Sequence, residues 1–81
     1  MQYEEYETEI VSAMNRARNG NIVSRLAIEM EITNNPDHYP LLAHKRGRSL
    51  RVVISRVLFR LSNITVLCTK RPVFVVSGEV A

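Results

Sequence analysis

Acidic residues are missing from half of the chain. Residues 38–78 contain no Asp or Glu, yet the same stretch holds eight of the eleven Lys and Arg residues. Residues 1–37 carry seven acids and three bases, so the formal net charge of +3 conceals a strongly basic C-terminal half. A field of one sign attracts a polyanion, because each cation that neutralises a phosphate releases a condensed counterion. The charge pattern therefore predicts nucleic acid as a partner, with an ordinary solvated surface as the alternative.

Other absences argue against secreted, membrane-spanning and nucleotide-dependent proteins. A single cysteine, Cys68, cannot form an internal disulfide. No apolar run reaches about 18 residues, which predicts no membrane span. Four glutamates among the first nine residues oppose a cationic signal peptide, so we expect a cytoplasmic protein. The three glycines lie far apart and form neither a P-loop nor a dinucleotide-binding motif.

Candidate catalytic and metal-binding residues are equally sparse. His38 and His44 are six residues apart, with Asp37 nearby, and do not match a zinc-binding spacing. The glutamates near the N-terminus fall in the first turn of a predicted helix, where carboxylates complement the helix dipole. We therefore predict no enzyme activity, no metal site and no cofactor.

Helical periodicity begins close to the N-terminus. A predicted helix 1 spans about residues 2–19 and is followed by Gly20, which suits a left-handed C-terminal cap. Its apolar stripe repeats at steps of three and four residues and consists of Tyr3, Tyr6, Ile10, Met14 and Ala17.

A second helix is predicted after a short apolar connector, Ile22 and Val23. Ser24 offers an N-cap oxygen, and the helix should end near Ile32. The apolar face predicted for this helix consists of Leu26, Ala27 and Met30.

The sixteen residues 33–48 carry mixed signals. Residues 34–37, Asn-Asn-Pro-Asp, are a turn signal, whereas the Leu-Leu-Ala run at 41–43 is more apolar than a typical loop. A short extra helix fits this pattern, with Asp37 as its cap and Gly47 at its end.

The third main helix gives the strongest periodic signal in the chain. Ser49 is a good N-cap, and the helix is predicted to run from there to about Asn63. Its apolar positions follow steps of three and one and are Leu50, Val53, Ile54, Val57, Leu58 and Leu61. Two β-rich runs follow at 64–69 and 73–77, and the basic segment between them predicts a hairpin with a basic tip.

Two segments and this order of elements resemble the winged helix-turn-helix family. Residues 23–32, a small polar cap followed by a Leu-Ala pair, are similar to the second helix of that family. Residues 54–61 are similar to its recognition helix, in which a Leu and the residue three positions later pack into the core. The resemblance covers residues 5–77 and implies one small α+β winged-helix domain over residues 1–81. That domain would have three main helices, a C-terminal β-hairpin wing and the short extra helix between helices 2 and 3, where the sixteen-residue connection exceeds that of a tight helix-turn-helix.

The outer face of helix 3 carries residues suited to a DNA groove. Arginine can grip guanine O6 and N7 with two hydrogen bonds, and a serine hydroxyl can bond to base edges or phosphates. The polar residues on that face are Arg48, Arg51, Ser55 and Arg56. A basic segment at the start of this helix is predicted to clamp phosphates and consists of Lys45, Arg46 and Arg48.

The hairpin tip and two apolar residues leave alternatives open. The resemblance implies that Lys70 and Arg71 contact the DNA backbone or a minor groove, whereas a basic tip can also serve only to discourage edge-to-edge strand pairing. Val52 and Phe59 share the outer side of helix 3. They are suited to contact thymine methyls, but burial against a neighbouring element or a second subunit is the commoner role for such a pair.

These patterns lead to one predicted function and one rival. We expect a double-stranded DNA-binding protein, a homodimeric transcriptional regulator of a phage, plasmid or virus. The rival is a winged-helix protein-interaction module whose basic face docks an acidic protein partner, with Val52 and Phe59 as its hot spot. Single-stranded RNA is disfavoured, because the basic face lacks an exposed aromatic platform for base stacking.

Overall fold

Three helices and a three-stranded antiparallel sheet make up the protein. The computed structural model describes residues 4–68, 70 and 72–76. The helices are α1 (Glu4–Ala17), α2 (Arg25–Asn34) and α3 (Arg48–Arg60), and the strands are β1 (Ile22–Ser24), β2 (Ile64–Cys68) and β3 (Val73–Val76). The strand order is β1-β3-β2. This confirms the predicted α+β class with three main helices and a C-terminal hairpin, an arrangement compatible with a winged-helix-like fold.

One strand was predicted as a connector. Ile22 and Val23 lie in β1, which pairs antiparallel with β3 through Ile22 opposite Val75 and Val23 opposite Phe74. Three residues are too few to show the alternation typical of strands, so only the distant partner β3 reveals this one. The pairing places the start of α2 beside the hairpin, because Ser24 is both the last residue of β1 and the N-cap of α2.

The start of α2 was predicted correctly, but its buried face was not. The Ser24 hydroxyl accepts a hydrogen bond from the Ala27 backbone N–H at 3.0 Å, as an N-cap does. The side chains of Leu26 and Met30 are 62% and 53% exposed, whereas Ile28 and Ile32 are buried. Apolar residues lie on both sides of this helix, so periodicity alone does not decide which side packs against α1 and α3.

The core face of α3 was predicted correctly, but its N-cap lies two residues earlier than expected. Leu50, Val53, Ile54, Val57 and Leu58 are all buried. Gly47, not Ser49, occupies the N-cap position, with a φ of 56° that other residues rarely adopt. Gly47 therefore begins α3 and does not close an extra helix.

The connection between α2 and α3 contains no α-helix. Its only helical segment is a single 3-10 turn at Pro36–His38, in which Asp37 is an interior residue and Asn35 is the N-cap. Tyr39 and Leu42 insert into the core and are fully buried. The Glu9 carboxylate on α1 accepts hydrogen bonds from the backbone N–H groups of Leu41 and Leu42 at 3.0 and 3.1 Å.

A single hydrophobic core is shared by the helices and the sheet. It includes Ile10 and Met14 from α1, Leu58 from α3, and Phe74 and Val76 from β3. Since the core occupies one side of α3, the opposite side of this helix faces outward. None of the helices in the described ranges is long and apolar enough to cross a membrane.

Candidate nucleic-acid interface

The outward side of α3 forms one wall of a basic groove. Six residues, spaced three or four positions apart or adjacent, line it from this helix: Arg48, Arg51, Val52, Ser55, Arg56 and Phe59. Arg25 from α2 completes the lining. We call this surface the α3 groove. The structure thus brings together all four polar residues that the sequence predicted on this face, and adds a fourth arginine to them.

Arg25 joins α2 to both α3 and the hairpin. Its guanidinium Nη1 lies 3.4 Å from the Ser55 hydroxyl oxygen, to which it donates a hydrogen bond. Its backbone N–H donates to the carbonyl of Pro72 at 2.9 Å. Sequence reasoning missed Arg25, although a signal existed: a cation in the first turn of a helix opposes the helix dipole and needs another reason to be there.

Arg51 is held by an acid from α2. Its Nη1 lies 3.5 Å from the Glu29 Oε2 atom, and the side chains of Arg51 and Glu29 are 42% and 16% exposed. The other carboxylate oxygen of Glu29, Oε1, is buried and accepts no hydrogen bond in the part of the chain that the structure describes. One acid therefore lies beside the arginines of this groove.

In the described part of the chain, Arg48 and Arg56 differ from Arg25 and Arg51 in being unpaired. Both side chains are exposed. Within the described residues, neither forms an ion pair or a side-chain hydrogen bond. Their charges are therefore available to an anion without breaking an existing contact.

A second groove adjoins the first beneath the hairpin, and we call it the wing groove. It shares Arg25 and Arg51 with the α3 groove and also contains Glu29 and Lys70. Its apolar lining comes from Leu26, Pro72 and Val73. Lys70 thus lies on a surface continuous with α3, and its contact with DNA stays a prediction, whereas Arg71 lies outside the described residues.

Two of the residues predicted to clamp phosphates lie elsewhere. Lys45 and Arg46 line neither groove. The Lys45 ammonium stands over the Tyr6 ring of α1, 5.3 Å from its centroid, in a cation–π contact. Arg46 is exposed just before α3. Of the predicted basic segment, only Arg48 therefore lines the α3 groove.

Val52 and Phe59 are exposed in the groove rather than buried against a neighbouring element. Their exposed fractions are 39% and 56%. The Phe59 ring meets the Phe74 ring of the central strand β3 edge to face, with 6.0 Å between the centroids. Burial against a second subunit stays a prediction.

Metal-binding geometry does not arise among the described residues. No three His, Cys, Asp or Glu side chains there are grouped to hold an ion. His38 and His44 are both exposed.

No protein-family model, curated protein or solved structure matches this chain. The likeness to a winged helix therefore rests on the two sequence segments described above and on the order of the helices and strands.

Proposed function

We propose that the protein binds double-stranded DNA, with α3 inserted into the major groove. The observation that carries this proposal is the α3 groove, in which three arginines and a serine on the exposed face of α3 are joined by Arg25 from α2. An α-helix fits the major groove of B-DNA, and arginine and serine are side chains that bond to base edges and phosphates. The proposal assigns the hairpin, with Lys70, to the adjoining DNA backbone.

The length of the exposed face fits a short DNA site. From Arg48 to Phe59 the helix advances 11 residues, or roughly 16 Å at 1.5 Å per residue. At 3.4 Å per base pair, this distance corresponds to at most about five base pairs. A site of that size is half of a longer operator in many dimeric regulators, which is consistent with the predicted homodimer and regulatory role.

The contacts of the groove residues suit them to different parts of DNA. Arg48 and Arg56 are unpaired among the described residues and are suited to phosphates, which attract cations regardless of base sequence. Arg51 and Ser55 lie between them on the same face, each held by a residue of α2. Their restrained side chains are suited to base edges, where direction matters more than charge.

A second candidate function is favoured by the exposed apolar residues. Exposed apolar and aromatic side chains such as Val52 and Phe59 often form the centre of a protein interface. The arginines around them would attract an acidic partner. An apolar protein interface and a phosphate interface differ in how they respond to salt.

The experiment is a salt titration of binding to a fluorescent, random-sequence DNA duplex, followed by anisotropy. Among the described residues, Arg48, Arg56 and Lys70 line the two grooves without an ion pair. Counting these three cations as phosphate contacts, we expect the logarithm of affinity to fall with the logarithm of salt concentration with a slope of about −2.7. Affinity should then drop by roughly 40-fold between 50 and 200 mM salt. Absence of duplex binding at the lowest salt would contradict the proposal and leave the acidic protein partner as the candidate.

A further inference from the structure

Glu29 is an acid in a surface that we propose to face a polyanion. This inference deepens the proposed function and concerns how the same interface distinguishes bases from phosphates. Glu29 lies on α2, contributes to the wing groove and touches Arg51 across it.

The position of Glu29 carries two costs. Its carboxylate is largely removed from water, and its Oε1 has no hydrogen-bond partner in the described residues. A buried polar atom without a partner destabilises the fold, because it loses its bonds to water. A negative charge close to DNA phosphates also weakens every DNA contact nearby. What the carboxylate provides in return is a fixed partner for the Arg51 guanidinium.

We propose that Glu29 is a positioning residue that reserves Arg51 for base recognition. A guanidinium has five N–H donors in a rigid, planar fork. The Nη1 atom of Arg51 lies 3.5 Å from the Glu29 Oε2 atom, so the guanidinium is tethered to α2 on one side and its other donors are left for a base. The same pairing neutralises the Arg51 charge, so this arginine adds little to attraction for phosphates of any sequence.

The other arginines of α3 provide the contrast. Arg48 and Arg56, three residues before and five residues after Arg51, have no ion pair in the described residues and keep their full charge. A single helical face thus presents unpaired cations for the backbone and one restrained cation for a base. Specificity is the ratio of the affinity for a preferred site to the affinity for random duplex, so a weaker attraction to random duplex raises this ratio.

The test compares specific and non-specific binding of the wild type and Glu29→Gln. A preferred site is first selected from a random duplex pool with the wild-type protein. Affinities for that site and for random duplex are then measured at one fixed salt concentration. Glu29→Gln should bind random duplex about twofold to fivefold more tightly, because the Arg51 charge is released. The ratio of specific to non-specific affinity should fall at least about fivefold, because the fork is no longer oriented.

Three further variants isolate the cause. Glu7→Gln makes the same charge change on the exposed start of α1 and should leave the ratio unchanged. In an Arg51→Ala background, Glu29→Gln should have no further effect on the ratio, because its role passes through Arg51. Arg51→Lys keeps the charge but removes the fork, so the ratio should fall even though Glu29 is intact. This last variant also provides the test if Glu29→Gln fails to fold, which thermal melting by circular dichroism would reveal.

The outcomes separate this inference from the proposed function. Equal changes of specific and non-specific affinity in folded Glu29→Gln would overturn the positioning role while leaving DNA binding in place. A wild-type protein that binds duplex DNA but selects no preferred site would have the same consequence. An unchanged ratio in Arg51→Lys would overturn it equally. Failure of the wild type to bind duplex DNA at low salt would instead refute the proposed function itself.

Discussion

Tyr39 should make the stability of the protein fall in alkaline solution by an amount that the structure sets. Its side chain is fully buried in the connection between α2 and α3, and its hydroxyl donates a hydrogen bond to Glu31 Oε2 at 2.9 Å. Burial, reinforced by this bond to a carboxylate, raises the pKa of Tyr39 from 10.0 to about 12. The folded protein therefore holds the phenolic proton more tightly than the unfolded chain does.

The sign and size of the change in stability with pH follow from the linkage between protonation of Tyr39 and folding. Because the folded-state pKa is the higher one, the contribution is complete below about pH 10 and is lost as the pH rises toward 12. Two pKa units correspond to about 2.7 kcal/mol in the limit, of which about 1.4 kcal/mol should be lost by pH 11. Tyr39→Phe removes the titrating group and one hydrogen bond to a charged acceptor, at a cost of about 1 to 2 kcal/mol near pH 8.

Urea unfolding followed by helical circular dichroism at pH 8, 10 and 11 measures both proteins. We expect the wild type to be more stable than Tyr39→Phe at pH 8 and to lose about 1.4 kcal/mol of that advantage by pH 11. Other groups titrate in both proteins, so their effects cancel in the difference. A difference in unfolding free energy that stays constant from pH 8 to pH 11 would refute the burial and bonding assigned to Tyr39.

Two further predictions concern the core packing of α3 and the N-cap of α2. Leu58 is fully buried in the core face of α3, so Leu58→Ala should lower the free energy of unfolding in urea by about 2 to 5 kcal/mol. A decrease below about 1 kcal/mol would mean that this face does not pack as described. Ser24→Ala removes the hydroxyl that caps α2 and should lower the free energy of unfolding by about 1 kcal/mol. Ser24→Asn keeps a capping oxygen and should retain most of that stability. Equal decreases in the two variants would exclude the cap as the cause.

Local periodicity was enough to predict α3 but not α2. In α3 the apolar residues keep to one side, so the buried positions, and with them the exposed arginine face, follow from the spacing alone. In α2 the residues Leu26 and Ile28 lie on different sides, and only the packing of the other helices selects Ile28 for the core. β1 was missed for a similar reason, because its partner β3 is fifty residues away along the chain.

The candidate site was predictable as far as it lies on one element. Arg48, Arg51, Ser55 and Arg56 share one face of α3, and helical geometry alone places them together. Arg25 reaches them only because α2 packs against α3 in the folded protein. Lys45 was assigned to DNA from its position in the chain, but its direction depends on the Tyr6 ring, which sequence spacing does not reveal.

The central claim is that the α3 groove is the surface that binds duplex DNA, and a pair of matched variants tests it most directly. Arg56 lines the groove on α3, and Arg16 is an exposed arginine of α1 that lines neither groove. Each change to alanine removes one positive charge. In salt titrations with random-sequence duplex, Arg56→Ala should reduce the magnitude of the slope by about 0.9, the value of one lost phosphate contact, and Arg16→Ala should leave it unchanged. Equal slopes for the two folded variants would contradict the claim and move the DNA-binding surface away from α3.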